Sequence, residues 1–148
     1  MNCMHSKMIS YGHLISSILK LRKICNHPSL FDEEIPESAL EGLDPGAMTF
    51  EEQGSKLAVV SHLLNRLRAA GKEKIVVVSI STQVLDLLGE LCSFYQYPTL
   101  RLDGSTSATN RQSIVNQFNS GHGDNFVLLL SSKAGGTGNE IQPKSIKC

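Results

Sequence analysis

The chain has 148 residues, 41% hydrophobic and 19% charged, the length and balance of one soluble domain with its own core. Fourteen basic and fourteen acidic residues cancel, yet eight of the acids fall in residues 31–53 beside no Lys or Arg, which leaves +8 on the remainder. No apolar run reaches the ~18 residues of a membrane span and MNCMHSKMIS lacks the build of a signal peptide, so an intracellular protein with no membrane partner is expected.

Along the chain, residues 8–25 place Ile9, Leu14, Ile18, Leu21 and Cys25 at spacings of three to five, which predicts an amphipathic helix closed by CNHP, where Pro28 takes His27 out of helical geometry. Residues 31–53, rich in acids, prolines and glycines, read as a solvated linker. Ser55 can cap a helix over Lys56 to Ala70 that Gly71 stops. The order then turns regular: strand 74–80 (KIVVVSI), helix 84–95, strand 98–102 (PTLRL), helix 109–119 and strand 126–132 (FVLLLSS). Short links between alternating strands and helices predict an α/β fold with a parallel sheet of about three strands flanked by helices. The β-branched run KIVVVSI reads as a strand covered on both faces, whereas FVLLL, last in order, is expected to be left as an unpaired apolar edge.

In an open α/β sheet, ligands sit beyond the carboxyl ends of the strands. The loops there are SISTQ, DGST and SSKAGGTG, rich in hydroxyls and glycine, with Lys133 adding a charge; such groups hold phosphate oxygens without reading bases. Each loop has a plainer reading: AGGTG is an ordinary turn, Ser79 to Gln83 a helix cap, and DGST a turn with a helix start. No GxxxxGK[ST] phosphate loop occurs, and the pair Asp32–Glu33 follows no apolar strand, so neither half of a self-contained ATPase site is legible. Cys3, Cys25, Cys92 and Cys148 stand far apart and read as reduced thiols; Cys25 with His27 lacks the companions that tetrahedral zinc requires, and no metal site is expected.

Taken together and in this order, LRKICNHPSLF, GSKLAVVSHLL, KIVVVSISTQVLDLL, RLDGSTSATNRQSIVNQFN and FVLLLSSKAGGTG resemble the second RecA-like lobe of the Swi/Snf-type superfamily-two DNA translocases, from about His13 to Gly138. The FNS of Phe118 to Ser120, followed by FVLLLSSKAGG, is most similar to the recombination-repair branch, the Rad-fifty-four subgroup, and somewhat closer to its B paralogue. The resemblance implies an incomplete RecA-like lobe at 54–138, an N-terminal helical segment at 1–30, the acidic linker at 31–53 and an unrelated polar tail at 139–148.

In that family two lobes close on ATP and magnesium and walk along double-stranded DNA by backbone contacts. The implied work is homologous recombination, DNA repair or chromatin remodelling in the nucleus, with recombinase or chromatin proteins as partners. Position by position, the resemblance puts Ser79, Thr82, Arg101, Gly104, Ser105, Arg111, Ser132 and Lys133 toward DNA or in charge of ordering its loops, and Gly136 and Gly138 toward the nucleotide. Departures are Ile80 and Ser81, where the subgroup has Asn and an aromatic, and Gly54-Ser55-Lys56, which transposes the usual order. After Gly138 the family continues with LNL, a further strand and the arginines that reach the ATP phosphates, none of which follows here. The 148 residues by themselves are therefore expected to be marginally stable, to hold ATP and magnesium weakly and to have no ATPase activity. The alternatives are a non-catalytic module that binds DNA or a protein partner, and an unrelated small phosphate-binding α/β protein.

Overall fold

The computed structural model describes residues 11–31, 54–71, 73–120 and 124–135. All of the expected linker at 31–53 except Phe31, the expected tail at 139–148, the start of the first predicted helix at residues 8–10, and Gly136 and Gly138 lie outside the described residues. The chain divides into two units, Met1–Leu57 and Ala58–Cys148.

In the first unit, helix α1 (Tyr11–Asn26) forms where the period predicts, and none of its residues is buried. Leu14, Ile15, Ile18, Leu19 and Leu21 are about half exposed, so its apolar stripe stays open. At its end the chain turns through a 3-10 helix, Pro28–Leu30, with Pro at the first position, where its missing N–H costs nothing, and His27 as the cap. The His27 ring is buried, its Nδ1 accepting from the Ser29 amide at 3.2 Å and lying 2.7 Å from the Ser29 hydroxyl. Gly54 lies against that imidazole so closely that a Cβ would run into it, which accounts for a glycine there whatever the order of its neighbours. Lys56 Nζ donates to the Asn26 side chain at 3.1 Å.

Helix α2 (Ser55–Ala70) leads into the second unit and stops at Gly71, whose φ of +75° suits a residue without a Cβ. Next come strand β1 (Ile75–Ser79), helix α3 (Thr82–Phe94), strand β2 (Thr99–Leu102), helix α4 (Ala108–Asn119), strand β3 (Val127–Ser131) and the short helix α5 (Ser132–Gly135). The sheet is all parallel in the order β1-β3-β2, with Ile75 level with Val127, Ser79 with Ser131 and Leu102 with Leu130. The α/β class, three parallel strands and flanking helices stand as the sequence predicts.

The placement of the two apolar strands does not. β3 is the central strand, all five of its residues buried, so FVLLL is not an unpaired edge. β1, like β2, lies at a side of the three-stranded sheet, and its Val78 is 57% exposed, so KIVVVSI is not covered on both faces. The physical reason is that an apolar run records only how much burial a strand tolerates; the strand order is fixed by which crossover brings which strand home.

Alternation of side chains splits the core between two layers of helix. On one face Leu102, Leu128 and Leu130 pack with Val115 and Phe118 of α4 and Ala134 of α5, with Val76, Leu100 and Ile114 at the margin. On the other, Gly89 of α3 approaches Leu129, a Cβ there standing 3.9 Å from its Cδ1. α3 buries Leu85, Leu87, Leu88, Leu91 and Cys92, and burial pushes the Cys92 thiol up, so it stays un-ionised.

The amino end of the sheet is closed by paired groups. Ile75 N donates to Phe126 O, and Phe126 N to Pro98 O, both at 2.8 Å. The rings of Tyr95, Tyr97 and Phe126 follow one another at centroid spacings of 5.5 and 5.2 Å, with the Arg68 guanidinium 5.3 Å over Phe126 and bonded to Asp124. Lys74 Nζ donates to Phe118 O at 2.6 Å and Ser120 O at 2.8 Å, a cation on the last carbonyls of α4. Among the described residues no helix is long and apolar enough to cross a membrane.

Candidate functional site

Because all three strands run parallel, the loops that follow them emerge at one edge of the sheet. With Ser79 level with Ser131 and Leu102 one position short of Asp103, the turns at 79–82, 103–107 and 131–133 are neighbours. Ser79, Thr82, Gly104, Ser105, Ser132 and Lys133 are thereby gathered at this edge, while Gly136 and Gly138 lie outside the described residues.

The three turns differ in construction. After β1, Ser79 Oγ accepts from Ser81 N at 3.2 Å and donates to Ser81 O at 3.1 Å. Ser81 occupies the cap position of α3 with no side-chain bond of its own, and Thr82 opens the helix, exposed. The helix thus begins at Thr82 rather than 84, and Ser79 braces Ser81 without capping the helix.

The turn after β2 is braced from several sides. The Asp103 carboxylate, almost fully buried, accepts from Ser105 N at 2.9 Å, from Ser105 Oγ at 2.6 Å and from Arg101 Nε at 2.7 Å. Asp103 N in turn donates to Thr106 Oγ1 at 3.2 Å, and Thr106 N donates back to Asp103 O at 3.2 Å. The Ser105 hydroxyl first, then the Arg101 guanidinium, hold the Asp103 carboxyl down at about 2, against an ordinary 3.8. Arg111, one turn into α4, closes the turn from the helix side, with Nε on Thr106 O at 2.9 Å and Nη2 on Asp103 O at 3.2 Å. Ser107 caps α4 by accepting from Asn110 N at 3.3 Å.

Arg101 is held by two carboxylates, with Nη1 2.5 Å from Asp86 on α3; that bond to Asp86 is the main reason its basicity rises further. Gly104 sits at the tip with no positive φ, and a Cβ there would meet nothing within 4 Å, so nothing inside the chain calls for a glycine.

After β3 the chain passes directly into α5, where Ser132 and Lys133 are exposed. The Lys133 ammonium has no partner among the described residues. Of the sequence-predicted residues, Arg101 and Arg111 are therefore spent on ordering a turn, and Ser79 partly so, while Thr82, Gly104, Ser132 and Lys133 face outward.

Three residues of the network escape the sequence reading: Asp103, Thr106 and Asp86. Asp103 was signalled, since an Asp two residues before a serine amide is the pattern of an Asx turn. Asp86 had no signal, because its partner is fifteen residues away across the fold. Among the described residues there is no group of three His, Cys, Asp or Glu placed to bind a metal ion.

A family model described as the helicase conserved C-terminal domain matches residues 55–144. The chain belongs to that family. The match opens at the first residue of α2 and runs past Gly138 into the polar stretch. Within the family this helicase C-terminal domain is similar to the DNA repair and recombination protein RAD54 of Oryza sativa subsp. japonica, 40% identical over 90% of this chain and 17% of the relative. It is equally similar to RAD54B of Gallus gallus, 40% identical over 93% of this chain and 17% of the relative. The two relatives match alike, and the helicase C-terminal domain spans about a sixth of their length. Its fold is that of the SWI2/SNF2 ATPase C-terminal domain of Sulfolobus solfataricus, with a TM-score of 0.63 at 21% identity, over 88% of this chain and 51% of that one.

Proposed function

We propose that this helicase C-terminal domain is part of the second lobe of an ATP-dependent double-stranded DNA translocase serving homologous recombination, DNA repair or chromatin remodelling in the nucleus. The observation that carries this reading is the gathering of three polar strand-end turns at one sheet edge, with Thr82, Ser132 and Lys133 outward, Ser105 exposed but bonded to Asp103, and Gly104 open to close approach. Hydroxyls, backbone N–H groups and one free ammonium suit phosphate oxygens and read no base edge, which is what a motor that steps over any sequence requires. Ser79, Arg101 and Arg111 contribute by fixing the turns. Gly136 and Gly138 are assigned to the nucleotide side, residues 54–138 to the lobe, 1–30 to a helical segment before it and 31–53 to an acidic linker.

ATP and magnesium belong to the complete protein. The 148 residues contain no phosphate loop, so the chain on its own is expected to hydrolyse no ATP. Phosphate release by the purified chain, with and without duplex DNA, checks this: release above a denatured control overturns it. Duplex binding that is indifferent to sequence and weakens steeply with salt supports the DNA assignment; binding of free nucleotide with no affinity for duplex favours a small phosphate-binding protein instead.

A further inference from the structure

The Arg101 side chain joins two parts of the edge that the sequence keeps apart. Its Nε meets Asp103, which holds Ser105 by both amide and hydroxyl, and its Nη1 meets Asp86 on α3. Asp86 stands four residues after Thr82, hence on the same face of the helix one turn on. A line of charge-assisted bonds therefore runs from Asp86, one turn into α3, through Arg101 and Asp103 to the Ser105 hydroxyl. The two ends of the line, Asp86 on the helix that Thr82 opens and Ser105 in the turn after β2, follow different strands.

We propose that Arg101 is a positioning residue that couples the turn at 103–106 to the head of α3 through Asp86, setting the spacing of the two turns for adjacent phosphates. The inference rests on the duplex-binding reading above for its purpose, and on the network alone for its existence. It makes Asp86, an acid beside a surface that meets a polyanion, favourable for binding.

That sign is the test. Removing a carboxylate near DNA strengthens binding by simple electrostatics, whereas removing a positioning partner weakens it. Affinity of the full 148-residue chain for a fluorescein-labelled duplex is measured by anisotropy across a salt series for the unaltered chain, Asp86→Asn and Asp86→Glu. Coupling predicts Asp86→Asn about two- to fivefold weaker, with an unchanged salt slope and thermal midpoint, and recovery with Asp86→Glu. Equal or tighter binding by Asp86→Asn overturns the proposal and leaves the duplex reading standing.

Amide NMR spectra of the same variants decide the coupling independently of DNA. Asp86→Asn is expected to move the Ser105 and Thr106 amide resonances, which are remote in sequence, and Asp86→Glu to return them. If the unaltered chain binds no duplex, the reading above falls, and unmoved Ser105 and Thr106 amides would then sink the coupling as well, while moved ones sustain it.

Discussion

The two edges of the sheet use polar residues in opposite ways. At the amino edge the described cations bond within the fold: Arg68 lies over Phe126 and pairs with Asp124, and Lys74 closes the last carbonyls of α4. At the carboxyl edge the internal bonds fix the backbone of the turns and leave Thr82, Ser132 and Lys133 facing solvent. One edge spends its chemistry on stability, while the other spends it on holding a shape for something outside. Open parallel sheets divide labour in this direction because helix amino ends and free N–H groups collect where the strands finish.

The sharpest way to break this contrast is to cut the amino edge at Phe126, which is 3% exposed. Phe126→Ala is expected to cost about 3–5 kcal/mol, a large part of the roughly 5–15 kcal/mol that holds a domain. Urea titration reads the loss, and the salt slope of duplex binding by the remaining folded protein should not change.

At the other edge, Asp103→Ala leaves Arg101 and Ser105 without their acceptor and is expected to cost about 1.5–3 kcal/mol. It should also abolish most duplex binding, a double effect that Phe126→Ala lacks. The same carboxyl gives a pH signature. Its folded pKa of about 2 lies below the ordinary 3.8, so its contribution is complete above about pH 5 and is lost as pH falls from about 4 through 2. Midpoints in urea across that window should fall for the natural chain and stay flatter for Asp103→Ala.

A smaller and opposite effect is expected at Gln96. It ends α3 with φ of 55° in a Schellman arrangement, Gln96 N on Ser93 O and Tyr97 N on Cys92 O. Gln96→Gly removes the left-handed penalty and should stabilise by about 1 kcal/mol, as a rise in thermal midpoint, with duplex binding untouched. Smallest of all in stability is Lys133→Ala, within about 0.5 kcal/mol, and yet it should lower the salt slope of duplex binding by about one. A Lys133→Ala chain with an unaltered slope would blur the division between the edges.

The elements were legible because each carries its own period: Leu85, Leu88 and Leu91 for α3, and Ile114, Val115 and Phe118 for α4, all register burial locally. Which apolar strand is central was not legible, since Val76–Val78 and Leu128–Leu130 are interchangeable as strings and differ only in having one neighbour or two. At the carboxyl edge the loops SISTQ, DGST and SSKAGGTG were legible because turn chemistry follows strand ends, while Ser79, Thr82, Gly104, Ser105, Ser132 and Lys133 were singled out by the family resemblance. The division of roles among them was not, since Arg101 and Lys133 look alike until Asp86 and Asp103 are placed beside the first. Long-range charge pairs leave no periodic trace in the chain.

The strand order has a consequence for how the protein is made. Of the three described strands β3 is the last to be synthesised, and it is the only neighbour that either β1 or β2 possesses among the described residues. Until Val127–Ser131 has left the ribosome, the two earlier strands have nothing to pair with, and Val76, Leu100 and Leu102 wait on a nascent chain with their surface open. The sheet then forms by insertion into a gap rather than by growth from an end, a route dominated by distant contacts and slow for that reason. A ribosome paused just before Phe126 therefore holds a chain in need of a chaperone, and one paused well beyond Ser131 holds a chain that can close its sheet.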